Sequence, residues 1–137
     1  TVARSEPATD NKRQGRKNRK QTSSPTFLWQ VDSPALLINA MALGGKVLFA
    51  AGPPALADEK EMFGFLPGAD DQTNRQLHKQ AQAWQGKHGG LLWAVSAENG
   101  DKIAECKLDT YPGFDGLIVA KGRLYMSMLD GTVRCYR

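Results

Sequence analysis

Three features predict an all-β fold: short apolar segments, tight-turn residues between them, and an internal repeat. Between residues 90 and 137 five segments stand out: Leu91–Val95, Ile103–Leu108, Gly116–Val119, Leu124–Leu129 and Thr132–Tyr136. Glu98-Asn99-Gly100-Asp101, Asp109-Thr110-Tyr111-Pro112, Lys121-Gly122 and Asp130-Gly131 divide them. Asn-Gly and Asp-Gly accept positive φ cheaply and favour hairpins. Strands of this length at even spacing indicate antiparallel sheets. The repeat runs from Asn39–Gly52 to Asp115–Met128, without gaps, at an offset of 76. Leu43 matches Val119, Leu48 matches Leu124, and Phe49 matches Tyr125. Upstream, Trp29–Asp32 matches Cys106–Asp109; downstream, Leu92–Val95 matches Val133–Tyr136. The first copy is interrupted by 53–89. Subtracting those 37 residues from the offset of 76 leaves a period of 39. Repeats of about 40 residues holding four strands mark propeller blades.

Each element then follows in order. Residues 1–26 are polar, with Val2 almost the only apolar side chain before Phe27. Such a segment buries too little surface to offset its ordering entropy, so a disordered linker is expected. The arm 1–25 carries seven Lys/Arg against two Asp/Glu, a net +5, while 26–137 is net −1. The chain's overall charge of +4 therefore belongs to the arm. Basic residues cluster over Lys12–Lys20, but no aromatic is interleaved for base stacking, so nucleic-acid binding is not expected.

Phe27–Val31 is read as the outer strand of one blade. Leu36–Leu43 and Val47–Ala51 begin the full blade, joined at Gly44-Gly45. Their nearly continuous apolar character suits strands buried on both faces. Pro53-Pro54 is expected to stop the ladder, because proline cannot donate to it. Within 53–89 a helix is expected over about Asp71–Gln85, capped by Asp70 or Asp71 and ended by Gly86. Leu77, Ala81 and Trp84 form its apolar stripe, expected to pack on the sheets together with Met62, Phe63 and Phe65. The chain is therefore read as a 1–26 linker followed by 27–137. The latter holds one full four-stranded blade and parts of two neighbours, with one inserted helix. No apolar run reaches the length of a membrane span.

The wording "LLWAVSAENGDKIAECKL", then "FDGLIVAKGRLYMSMLDGTVRCY", resembles the last repeats of bacterial PQQ-like, quinoprotein-type β-propeller proteins. "VLFAAGPP" and the charged linker before "LWQV" fit the same group. The resemblance covers about 27–52 and 90–137 and speaks to fold more than to activity. It implies the C-terminal part of a larger propeller. The expected partner is that propeller's remaining N-terminal part, as a separate chain or a missing segment. A strand from it would complete the last blade after Thr132–Tyr136. It also implies a periplasmic, cell-surface or secreted location.

Functional residues are sought where connections gather. An insertion between second and third strands shares an end of the blade with Asp32–Ala35 and Asp109–Pro112. Ligand sites need concavity and converging polar groups. The ligand-binding candidates are Asp109, Tyr111, Asp115, His78 and Trp84, with Asp58 and Glu59 beside them. Asp109 and Asp115 have an alternative role as turn caps. Asp58, Glu59 and Glu61 match no calcium loop, and His78 and His88 match no zinc spacing. No Gly-rich phosphate loop or Ser-His-Asp arrangement is present. Cys106 and Cys135 are read as small buried thiols, with a disulfide between them as the alternative, though their spacing predicts no pairing.

Quinone-dependent dehydrogenases of the resembled family use a tryptophan under the quinone, an adjacent cysteine pair and calcium ligands. None of these has a match here. No cofactor is expected for this chain, and pyrroloquinoline quinone or calcium would belong to the whole protein. Two functions are carried forward: a non-catalytic binding or scaffold module, and a piece of a propeller enzyme whose catalytic residues lie elsewhere.

Overall fold

The computed structural model describes residues 24–32, 34–57 and 71–137. They form two antiparallel sheets and one helix, an all-β architecture with a single helical insertion. Sheet 1 contains β1 (Ala40–Gly44), β2 (Val47–Gly52), β3 (Gly90–Ser96) and β4 (Lys102–Leu108), in that order. Sheet 2 contains β5 (Pro112–Ala120), β6 (Arg123–Met128) and β7 (Val133–Tyr136). The helix α1 (Asp71–Trp84) lies in the β2–β3 connection.

The two sheets share one register. Ala42 faces Phe49 and Leu43 faces Leu48, while Ile118 faces Tyr125 and Val119 faces Leu124. Ala50 faces Trp93 and Leu48 faces Val95, while Met126 faces Arg134 and Leu124 faces Tyr136. The sequence repeat is thus a repeat of ladder pairing. Turn chemistry sets the hairpins. Lys121 and Gly122 both have positive φ, the combination of a type I′ turn. The β1–β2 turn sits at Gly45-Lys46, one residue beyond the predicted Gly44-Gly45, and Gly44 pairs with Val47 inside the ladder.

Alternation along each strand gives the sheets two faces. Ala40, Ala42, Phe49, Ala51 and Leu92 of sheet 1 pack against Leu117, Leu124, Met126 and Met128 of sheet 2. At the offset of 76, the partners Leu117, Leu124 and Met126 correspond to Met41, Leu48 and Ala50, on the other face of sheet 1. The sheets therefore stack head to tail, front of one on back of the next. The contact brings β1 and β5 so close that a Cβ on Gly44 would stand 2.7 Å from Val119 Cγ1. Asn39 braces this junction. Its side-chain amide donates to Pro112 O at 2.8 Å, and its carbonyl accepts from Asp115 N at 3.2 Å.

The other face of sheet 1 holds a second cluster. Leu36, Trp93 and Val95 are buried there, with Trp29, Leu48 and Leu91 packed around them. Lys102 Nζ lies 4.6 Å from the centre of the Trp93 ring and pairs with Glu105 at 2.8 Å. Lys102 holds the Glu105 carboxyl below its usual range, mainly through that hydrogen bond. The segment around Trp29 is not the strand predicted over Phe27–Val31. It has no neighbouring strand to pair with among the described residues, and Phe27 and Leu28 are 74% and 92% exposed. Trp29 still anchors the segment, its Nε1 donating to Ala97 O at 3.0 Å. Its ring lies where a Cβ on Gly100 would fall, 2.6 Å from Cε3.

Two further expectations are corrected. β1 begins at Ala40 rather than Leu36, while the β2 ladder stops at Gly52, just before Pro53-Pro54 as expected, with only isolated contacts continuing beyond it. Leu37 N donates to Pro53 O and Ala55 N donates to Ala35 O, both at 2.9 Å, and Leu36 bridges Pro54. A proline lacks a donor but keeps its carbonyl; here Pro53 accepts through its carbonyl and Ala55 supplies the donor. Cys106 and Cys135 are free and exposed, not buried, because each lies in a strand at the edge of its sheet.

The helix also differs in how it docks. Its inward line is Thr73, Gln76, Gln80 and Ala83, whereas Leu77 and Trp84 are partly exposed. Gln80 Oε1 accepts from Leu56 N at 2.7 Å and Ala57 N at 3.1 Å, and its Nε2 donates to Pro54 O at 3.2 Å. These backbone groups follow Pro53-Pro54, outside any ladder, so one amide satisfies three groups. At the C-terminus, Lys87 N bonds Gln82 O and Gly86 N bonds Ala83 O, with Gly86 at φ +80, a Schellman pattern. Asp58, Glu59, Glu61, Met62, Phe63, Phe65 and Asp70 lie outside the described residues, as do 1–23.

Trp93 is a fulcrum of sheet 1, buried against Leu36 and under Lys102. Trp93→Ala is expected to cost about 3–5 kcal/mol in urea denaturation, whereas Ile118→Ala, on an exposed face, is expected to stay within about 0.5 kcal/mol of wild type.

Candidate functional site

The end of the sheets where α1 docks gathers most of the predicted residues. Tyr111 leads into β5 and is buried. Its hydroxyl donates to the Trp84 carbonyl at the helix end. Its ring meets Trp84 edge-on, 6.3 Å between centroids at 79°. Its own carbonyl accepts from Leu129 N at 2.9 Å. Burial pushes the Tyr111 hydroxyl above its ordinary pKa, so it stays protonated and remains a donor. Tyr111 and Trp84 therefore do converge, as the sequence suggests. What they form is a strut between helix and sheet.

Asp109 is drawn into an ion cluster at the same end. Arg134, on β7, bonds both Asp109 oxygens and reaches Asp130 Oδ2 at 3.1 Å. Asp130 also accepts from Thr132 N at 2.9 Å and Thr132 Oγ1 at 2.6 Å. Arg134 lowers the Asp109 pKa, chiefly by hydrogen bonding. Thr132 leads in lowering that of Asp130. The guanidinium is raised in turn, Asp109 first among its causes. Carboxylates held low and a guanidinium held high are not poised for proton transfer near neutral pH. The cluster instead clips the β4–β5 connection to the β6–β7 hairpin.

Asp115 and His78 stand apart from this group. Asp115 adopts a positive φ of 53° in β5, between Pro112 and Leu117, where the register shifts. It is therefore a residue of an irregularity within β5 rather than the turn cap of its alternative reading, in a backbone conformation that Asp tolerates. His78 lies on the solvent side of α1 beside Gln82, 3.2 Å away, along a shallow groove with Asp71, Arg75 and Lys79. Among the described residues, no group of three or more His, Cys, Asp or Glu side chains could hold a metal ion. Nor is any helix among them long and apolar enough to cross a membrane.

A cleft lies elsewhere, between the sheets. The sheets touch at β1 and β5 and diverge toward their outer strands, leaving a cleft of about 710 Å³. Phe49, Leu92, Ala94, Ala104 and Cys106 line it from sheet 1, and Val119, Leu124 and Tyr136 from sheet 2. Lys121, Arg123 and Arg137 rim it, with no Asp or Glu among its lining residues. Sequence reasoning missed it because its walls come from distant segments and no local motif marks a gap between sheets. It missed Arg134 as well, although a signal exists: the repeat places this arginine where the first copy has Trp93. No family model matches the chain, and searches of curated proteins and of solved structures find no similar protein.

Two outcomes are expected at the helix end. Tyr111→Phe keeps the ring and loses the hydrogen bond to Trp84, costing about 1 kcal/mol. Hydrogen exchange should show faster exchange in α1 with β1–β3 unchanged. The second concerns pH. Asp109 and Asp130 have folded-state pKa values below the unfolded carboxylate range. Their stabilisation is present above about pH 3.9 and is lost as pH falls through the lower folded values. Side-chain carboxyl NMR should show both midpoints below about 3.9. In Arg134→Gln the Asp109 midpoint should move up, and that of Asp130 should move less because Thr132 holds it.

Proposed function

We propose that the chain is a non-catalytic scaffold or binding module, the C-terminal part of a larger PQQ-like β-propeller, with its two sheets as consecutive blades. The observation that supports this reading is the head-to-tail stacking of two sheets with one register. A surface that packs front to back generates a series, and such heterologous contacts close into rings or continue as open arrays. The predicted site residues support the same reading. Tyr111, Trp84 and Asp109 spend their polar groups on holding elements together. The partner is then the remaining part of the same propeller. The family likeness adds the expectation of a periplasmic or cell-surface location.

The test is electron microscopy of the whole protein purified from its own cells, with absorption spectra of the same sample. Radial sheets around an axis, with no quinone band, are expected. Two sheets closed as a sandwich, or a quinone band that responds to an oxidisable substrate, would overturn the reading.

A further inference from the structure

The β3–β4 hairpin holds the one Asn-Gly pair in the sequence, Asn99-Gly100. Asn99 is exposed, and Gly100 has a positive φ of 79°. Asp101 grips both ends of the Asn99 amide. Its backbone N donates to Asn99 Oδ1 at 3.1 Å, and Asn99 Nδ2 donates to its Oδ2 at 2.6 Å. The first bond makes an Asx turn, a closed ring of atoms that includes the Gly100 nitrogen. Gly100 N donates to Ser96 O at 2.9 Å, so one hydrogen bond stands between this nitrogen and the side-chain carbon. The other asparagine at a tight junction, Asn39, precedes Ala40, whose β-carbon hinders ring closure, and Pro112 O holds its amide. Asp115 and Asp130 also precede glycines, but a carboxylate is a poorer electrophile than an amide.

The same turn seats Trp29. A Cβ on Gly100 would stand 2.6 Å from Cε3 and 2.9 Å from Cδ2 of its ring, and Trp29 Nε1 donates to Ala97 O in the same hairpin. Trp29 is the one residue of 24–32 that is not exposed, so it carries the attachment of that segment.

We infer that Asn99 is a deamidation site whose product unseats Trp29. The Gly100 nitrogen attacks Cγ of Asn99, and negative charge grows on Oδ1, where the Asp101 N–H meets it. The Cγ–Nδ2 bond then breaks while the Asp101 carboxylate holds the departing nitrogen. The proton lost by Gly100 is relayed by water to that nitrogen, which leaves as ammonia. A five-membered imide remains. Water adds to either of its carbonyls and opens it to aspartate or isoaspartate. Isoaspartate adds a carbon to the main chain between 99 and 100, directly under the Trp29 ring, and a negative charge beside Asp101. The flat seat on Gly100 is then lost. The inference stands apart from the scaffold reading.

The test ages the full chain, labelled with nitrogen-15, at neutral pH in water enriched in oxygen-18, both folded and in urea. Peptide mapping by mass should show Asn99 exchanging its amide for a heavy oxygen in the folded chain, on the time scale of the unfolded chain, with Asn39 intact. The Trp29 indole N–H should then exchange faster with solvent, while β5–β7 amides stay protected. Asp101→Asn keeps an acceptor but loses the charge, and should slow the folded reaction several-fold without changing the unfolded rate. Asn99→Gln is one methylene too long for the five-membered ring and should keep Trp29 seated through the same ageing. Any one of three results would overturn the inference. Asn99 surviving in the folded chain while the unfolded chain is consumed would make the turn a guard of the amide. An Asp101→Asn rate equal to that of the wild type would remove Asp101 from the reaction. A Trp29 indole that stays protected in the modified chain would leave no release.

Discussion

The close approach of β1 to β5 governs the rest of the structure. It is possible because one side of the junction is small. Ala40, Ala42 and Ala51 present a shallow surface, and Leu117, Leu124 and Met126 fill it. Each large side chain buried there contributes about 1.5–3 kcal/mol. Gly44 sits against Val119, where a β-carbon on the glycine would collide. Asn39 then ties the junction to the start of β5 through its side chain and its carbonyl. Because contact is tight at β1 and β5, the sheets diverge elsewhere, and the divergence is the cleft. One packing constraint thus produces both the core and the concavity.

The helix depends on a different physics. Among the described residues few apolar side chains hold α1, and Ala83 is its one fully buried residue. Gln80 holds its middle through three backbone groups, and Tyr111 holds its end through one. Hydrogen bonds of this kind contribute about 1 kcal/mol net each. The sheets, with their apolar cores, contribute far more. Among the described residues, α1 is accordingly held less firmly than the sheets.

What was legible in the sequence follows the same division. All seven strands fall within a residue or a few of the apolar segments, because period-2 burial and turn residues are local signals. The repeat was legible down to its register, since ladder partners such as Leu43 with Leu48 and Val119 with Leu124 keep one spacing. The Leu77–Ala81–Trp84 stripe misled because it assumes that a helix docks by burying carbon. The orphaned backbone after Pro53-Pro54 selected Gln80 instead, a demand visible only once the ladder's end is known. Phe27–Val31 misled because a strand needs a neighbour, and β propensity cannot supply one. Cys106 and Cys135 were misjudged because exposure depends on which strand is an edge. Of the candidate site, connectivity alone brought Tyr111 and Trp84 to one end, but their contact depends on a hydroxyl reaching a carbonyl 27 residues away.

The stacking has a direction, and the direction says which face is open. Sheet 1 turns one face to sheet 2, and its other face is covered by the segment of Trp29 and Leu36. Sheet 2 turns outward the face equivalent to the one sheet 1 buries: Ile118 stands where Ala42 does and Val133 where Leu92 does. Ile118 is 63% exposed and Val133 76%. Branched apolar side chains replace small or buried ones at positions where a neighbouring sheet is received. A surface of this composition is apolar, as the junction already formed is. The polar clip of Arg134, Asp109 and Asp130 leaves that face clear, because it lies around the strand ends. Charge is therefore spent at the ends of the sheets, and apolar surface is kept for their faces.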